Sequence, residues 1–171
     1  MLELLPEKDR KSTERMSMAP PANRDDLDEP RQRLLKEAEA LFAEKGYHGV
    51  SVREITSAAS CNLASVNYYF GTKDNLYLEV FRSRWIPRMG LLREHMMQSL
   101  STASLPSQDA IFRALAGAFL EGPLSDEERR HQGLLMAREL ACPTAAFELI
   151  SRQMLKPFVE DLREMSRAGM S

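Results

Sequence analysis

The sequence predicts an all-α protein, a short three-helix N-terminal domain followed by a second helical domain, and three observations carry that prediction. Apolar residues recur at spacings of three and four in several segments, and capping residues stand immediately before those segments. No segment shows clean strand alternation, an internal repeat or a low-complexity tract. The composition, 43% hydrophobic and 28% charged, is that of an ordinary water-soluble chain. No apolar run approaches the ~20 residues that span a bilayer, and the charged, Pro-rich N-terminus is unlike a secretory signal. Two cysteines, Cys61 and Cys142, are too few for a disulfide framework and fit a reducing cytoplasm. His48, His95 and His131 are scattered, with no metal-ligand spacing to the cysteines, so neither a metal site nor a cofactor is expected.

Residues 1 to 27 mix charge, proline and methionine without periodicity and read as a disordered arm, with Met16 and Met18 leaving a later start open. Helical spacing begins at Arg31, where Leu34, Leu35, Ala38, Leu41 and Phe42 form one stripe. Pro30 suits the first turn of this helix, whose N–H groups lack partners anyway, and Gly46 supplies the left-handed residue that ends it. Ser51 caps a second helix, Val52 to about Ala59, and Glu54 completes a capping box. After the turn Ser60-Cys61-Asn62, Asn62 caps a third helix, Leu63 to Phe70, which Gly71-Thr72 breaks. Lys73-Asp74 opens a longer helix carrying Leu76, Tyr77, Val80, Phe81 and Trp85, which Pro87 kinks or ends. Ser99 to Ser107 reads as a loop. Gln108 to Glu121 follows as a strongly patterned helix, and Gly122-Pro123 stops it. Ser125 with Glu128 opens a helix through Leu134, Leu135 and Leu140, and Thr144 caps a last one to about Arg167. A kink is predicted in it near Gln153 to Lys156, because the Pro157 ring clashes with the preceding turn.

The first three helices, about 14, 8 and 8 residues long with a three-residue turn between the last two, are the minimum of a helix-turn-helix. Residues 28–88 are therefore expected to form a DNA-binding domain with its helix-turn-helix at 51–70, and residues 89–171 a second helical domain. In this motif one helix crosses the DNA backbone and the next enters the major groove. On the third helix Val66 and Phe70 should pack inward, leaving Leu63, Ala64, Ser65, Asn67, Tyr68 and Tyr69 to face outward or sideways. Outward tyrosines suit phosphates and thymine methyls, while Tyr69, and less so Tyr68, also fits partial burial. The chain carries a net charge of −2, yet Arg31 to Arg88 holds nine basic and six acidic residues, a balance that permits a local DNA-facing surface.

The stretch Ile55 to Leu76, centred on Ser60-Cys61-Asn62-Leu63-Ala64-Ser65-Val66-Asn67-Tyr68-Tyr69-Phe70-Gly71-Thr72-Lys73, resembles the signature of the TetR/AcrR family of bacterial transcriptional repressors. Ala38, Phe42, Gly46, Tyr47 and Ser51 fit that family's first helix and entry turn. Asn62 to Tyr68, with Arg138-Glu139-Leu140 and Pro157 further on, is most similar to the CecR-like subgroup. The resemblance implies base-edge or groove contacts from Leu63, Ala64, Ser65, Asn67 and Tyr68. It implies phosphate contacts from Ser51 or Val52, Arg53, Tyr69 and Lys73, aided by the N–H groups at helix starts. It further implies a cytoplasmic, one-component regulator: a homodimer that binds a palindromic operator and is released by a small-molecule effector. Subgroup members continue past position 171 into the dimer's four-helix interface, so the resemblance also implies a truncated chain with an incomplete regulatory domain.

Two positions depart from the family pattern. Ser60 stands where the turn usually carries Gly, and a non-Gly residue in a left-handed turn costs about 1 kcal/mol. Asn67 stands where Tyr is usual, and an Asn amide can bond adenine N6 and N7 together. Bland roles remain for others: Arg53 as a solvated helix charge, Cys61 as a packing residue, and the methionines as plain core. Lys73 is an awkward residue for a positively polarised helix start unless it has an anionic partner. By helical-face reasoning Trp85, Met89, Leu92, Met96, Phe112, Leu115, Phe119, Leu135 and Met136 are the candidate walls of a ligand cavity. No nucleophile–base arrangement, carboxylate pair or glycine-rich phosphate loop stands out, so enzymatic activity is not expected. Read alone, the second half also fits an all-α protein-interaction module.

Overall fold

The first helix, α1 (Arg24–Lys45), lies at the centre of the computed structural model, which describes residues 24–100 and 107–168 and contains no strand among them. Leu34, Leu35, Ala38, Phe42 and Ala43 on α1 are fully buried. The helix starts at Arg24, earlier than Arg31, so Pro30 lies inside it and not in its first turn. Pro30 removes only one ladder bond there. Residues 24–27 of the expected arm are therefore helical, while its first 23 residues lie outside the described residues.

Around α1 pack α2 (Val52–Ala58), α3 (Ala64–Phe70) and α4 (Lys73–Val80), each started by a local device. Ser51 Oγ accepts the Glu54 N–H at 3.1 Å while the Ser51 N–H donates to Glu54 Oε2 at 2.7 Å, the capping box read from the sequence. The Ser51 N–H, then its hydroxyl and Lys45, hold the Glu54 carboxyl down at about 2. Asn62 Oδ1 accepts the Ala64 N–H at 2.9 Å, and Thr72 Oγ1 accepts the Asn75 N–H at 3.1 Å.

The two prolines expected to kink or end helices each follow a π-helical turn, and helix runs on past both. The chain runs from α4 through a π-helical turn, Phe81–Trp85, into α5 (Ile86–Leu100), which contains Pro87. It runs likewise from α8 (Ala145–Ile150) through a π-helical turn, Ser151–Leu155, into α9 (Lys156–Ala168), which contains Pro157. In each case the residue before proline donates five residues back, Ile86 to Phe81 and Lys156 to Ser151. A proline cannot donate to the carbonyl four residues earlier, so widening the preceding turn lets the helix continue. Consequently α5 extends to Leu100 through the start of the expected loop, Ser107 caps α6 (Gln108–Glu121), and residues 101–106 lie outside the described residues.

The last elements complete the packing. α7 (Asp126–Ala141) opens with a second capping box from Ser125 and Glu128 and packs along α1. The main core runs without a break from α1–α4 into Trp85, Leu135, Ala146, Ile150 and Met154. Position 88, the expected domain boundary, falls inside α5. A polar knot fastens this junction. Glu39, 1% exposed, accepts from Arg84 at 2.5 Å and from Arg88, whose Nε also reaches Glu128 at 3.1 Å.

Candidate nucleic-acid interface and cavity

Backbone bonds close the turn between α2 and α3. Ser60 has φ +52°, the left-handed conformation, and is the non-glycine residue with positive φ among those described. Its N–H donates to the Ser57 carbonyl at 3.2 Å and the Cys61 N–H to the Thr56 carbonyl at 2.8 Å, the paired bonds of a Schellman ending. Arg33 Nε then donates to the Ala59 carbonyl at 3.1 Å, tying α1 to this corner. Cys61 is half-buried, with Sγ 3.4 Å from the Ala59 carbonyl.

Anchored this way, α3 divides by face. Val66 (0% exposed) and Phe70 (8%) enter the core, while Ala64 and Asn67 are exposed, Leu63 is 50% and Tyr68 75% exposed. Ser65 and Tyr69 are half-buried, and Tyr69 packs on the core edge with its ring 4.8 Å from that of Tyr68 in a T-shaped contact. At the start of α2, Ser51 and Arg53 are exposed and Val52 half-buried. The outward surface of α3 thus carries amide, hydroxyl and aromatic groups but no charge, the chemistry of base edges and methyls more than of phosphates.

Lys73 is placed differently from an open phosphate-facing lysine. Its ammonium donates to the Tyr47 carbonyl at 2.6 Å and lies 4.2 Å from the centre of that ring, and burial lowers its pKa. One such bond leaves two of its three N–H groups for other acceptors. Tyr47 in turn donates its hydroxyl to Asp74, which together with burial pushes the phenol up to about 12. Sequence reasoning had no signal for this clasp, since its partners stand 26 and 27 residues apart.

A second site lies in the C-terminal half, an apolar cavity of about 470 Å³ between α5, α6, α7 and the last helical segment. Trp85, Met89, Leu92, Met96, Leu115, Phe119 and Met136 line it. The other two expected wall residues do not. On α7 the lining comes from Gln132, Gly133, Met136, Ala137 and Leu140, and Leu135 projects from the opposite side, fully buried in the main core. Phe112 shares the α6 stripe with Leu115 and Phe119 but lies one turn nearer the helix start, outside the lining and 70% exposed. Arg93, Gln132, Met154 and Phe158 also line the cavity. The methionine and phenylalanine were legible as apolar helix positions. Gln132, inside a strongly charged run, carried no such signal.

Residues 34–80, which hold this helix-turn-helix, match the model of bacterial regulatory proteins of the tetR family. Residues 109–170 match that of the C-terminal domain of the HTH-type transcriptional dual regulator CecR. The helix-turn-helix domain is of the TetR type. Among the curated relatives, CecR of Shigella flexneri is 29% identical over 147 residues, covering 82% of this chain and 65% of that protein. The transcriptional repressor AcnR of Corynebacterium glutamicum is 38% identical over 52 residues, covering 30% of this chain and 28% of that one. The chain thus spans less than two thirds of the length of these relatives. Among solved structures, an HlyIIR mutant in which an internal segment is substituted by a linker aligns with a TM-score of 0.57 and 27% identity, covering 84% of this chain and 72% of that one.

Proposed function

We propose that this chain is a one-component TetR-family repressor that reads a palindromic operator as a homodimer and is released from it by a small molecule held in the apolar cavity. The observation that carries the DNA reading is α3 itself: two buried anchors, Val66 and Phe70, hold an uncharged face bearing Asn67 and Tyr68 outward on a capped helix. A two-fold pair of such helices enters successive major grooves when its spacing is about 34–36 Å. Asn67 is the residue proposed to read adenine, and Arg53, Tyr69 and Lys73 to hold phosphates. Pairing draws on apolar groups that the C-terminal half leaves exposed, Leu120 at 73% and Phe112 at 70% among them.

The geometry supports a route for release. α7 presents Gln132 and Met136 to the cavity and Arg138 and Glu139 to the DNA-binding helices. Arg138 donates to the Ala43 and Glu44 carbonyls at 2.9 and 2.6 Å, holding the end of α1, and Glu139 accepts the Tyr77 hydroxyl at 2.7 Å from α4. A ligand that favours one position of α7 thereby favours one placement of α1 and α4, provided it binds the two placements unequally. Selection of bound duplexes from genomic fragments, followed by titration of the recovered site with the wild type and Asn67→Ala, tests the DNA reading. Loss of preference at one base position is expected, worth about 1–3 kcal/mol. Equal weakening on every duplex would refute base reading by Asn67.

A further inference from the structure

We infer that the cavity takes an uncharged, largely aromatic molecule bearing one hydrogen-bond donor, and that Gln132 Oε1 accepts that donor. The inference rests on the reading above that a small molecule occupies this cavity, and deepens it to a chemical class.

Gln132 is 3% exposed and held at both ends by one neighbour. Its Nε2 donates to the Trp85 carbonyl at 2.7 Å, and its own carbonyl accepts the Trp85 indole N–H at 3.1 Å. Reversing the side-chain amide would set Oε1 against the Trp85 carbonyl, acceptor against acceptor, so the amide has one orientation. That orientation leaves Oε1 buried with no hydrogen-bond partner among the described residues. A buried acceptor left unmatched is costly, and native proteins carry few of them. Gln132 lines the cavity but Oε1 is itself covered, so a molecule in the cavity reaches it by parting the side chains over it, while the clasp to Trp85 holds the amide in place.

The remaining lining argues against a charged ligand. Arg93 is the ionised lining residue, and its Nε already donates to Asp161 Oδ2 at 2.6 Å. Asp161 already neutralises Arg93, so an anion would find no net positive charge there, and a cation would meet Arg93 without a free carboxylate to bind. Trp85, Met89, Met96 and Phe119 offer polarisable, ring-compatible surface instead. The volume is within the range that encloses a drug-sized ligand.

Three probes of one shape separate the possibilities by isothermal titration of the full chain at neutral pH: biphenyl-4-ol, 4-methoxybiphenyl and biphenyl-4-carboxylate. The phenol, neutral and donating, is expected to bind about tenfold more tightly than the ether, which lacks the donor, and than the carboxylate. Gln132→Met should bring the phenol-to-ether ratio to near one while leaving the ether's affinity within about twofold. The wild-type ratio is decisive alone if that variant fails to fold. Equal binding of phenol and ether, as when a water already serves Oε1, overturns the inference; so does tightest binding by the carboxylate, or binding by none of the three. Titration of the same preparation with its selected duplex keeps this failure separate from failure of the DNA reading.

Discussion

Replacing Ser60 by glycine should make the protein more stable, against the usual direction of a glycine substitution. Ser60 has φ +52°, and an L residue in the left-handed region carries about 1–2 kcal/mol of steric cost that glycine does not. Glycine also enlarges the unfolded ensemble, which offsets about 0.4–1 kcal/mol of that relief. Both turn-closing bonds, Ser60 N–H to Ser57 and Cys61 N–H to Thr56, are backbone bonds that the substitution leaves in place. The net expectation is a gain of about 0.5–1 kcal/mol, or about 1–4 °C in Tm for a chain of this size. Ser60→Val supplies the opposite sign, since a β-branched residue retains the strain and adds crowding. Urea titrations followed by helical circular dichroism, at one protein concentration, measure both. A Ser60→Gly variant no more stable than wild type would refute the claim that strain at this turn is relieved by losing Cβ.

Glu39→Ala leaves Arg84 and Arg88 facing each other without their shared carboxylate, and should cost about 3 kcal/mol, the low end for a broken buried pair because Arg88 keeps Glu128; a urea-measured loss under 1 kcal/mol would contradict the role given to this knot. Burial, followed by the bond to Glu139, raises the pKa of Tyr77. Its contribution is therefore complete below the unfolded-state value near 10 and is lost as pH rises beyond it. Alkaline titration of unfolding should accordingly show a stability decline above about pH 10 that is smaller in Tyr77→Phe. Arg138→Ala removes two charge-assisted bonds to the end of α1 and should speed hydrogen exchange there, with a stability loss of about 1–3 kcal/mol; unchanged exchange at the end of α1 would remove Arg138 from the proposed route of release.

What the sequence disclosed follows the range of the forces involved. The capping boxes at Ser51 and Ser125 are set by residues within three positions, so pattern alone exposes them, whereas the left-handed Ser60 was legible only through the family resemblance. The inward turn of Val66 and Phe70, like the capping boxes, follows from local spacing. The start of α1 was missed because Pro30 reads as a helix opener. Pro87 and Pro157 showed where the ladder must break, but the choice between ending and widening a helix rests on the packing beyond it. The Glu39 knot joins residues 45 and 49 apart, and the Trp85–Gln132 clasp residues 47 apart, beyond any local pattern. For the cavity, face arithmetic within one helix located Met136, but only the packing of several helices decides that Leu135 lies behind the wall.

The central claim is that α3 reads DNA, and equilibrium binding to a selected operator duplex across a salt series tests it most directly. If Arg53 and Lys73 of both copies each neutralise a phosphate, log K should fall with log salt at a slope near −4, about −0.9 per contact. Arg53→Ala should flatten that slope by about 2 in a dimer, and Asn67→Ala should leave it unchanged while relaxing one base position. Binding that ignores salt and duplex sequence alike, or no binding at low salt by a demonstrably paired protein, would contradict the account.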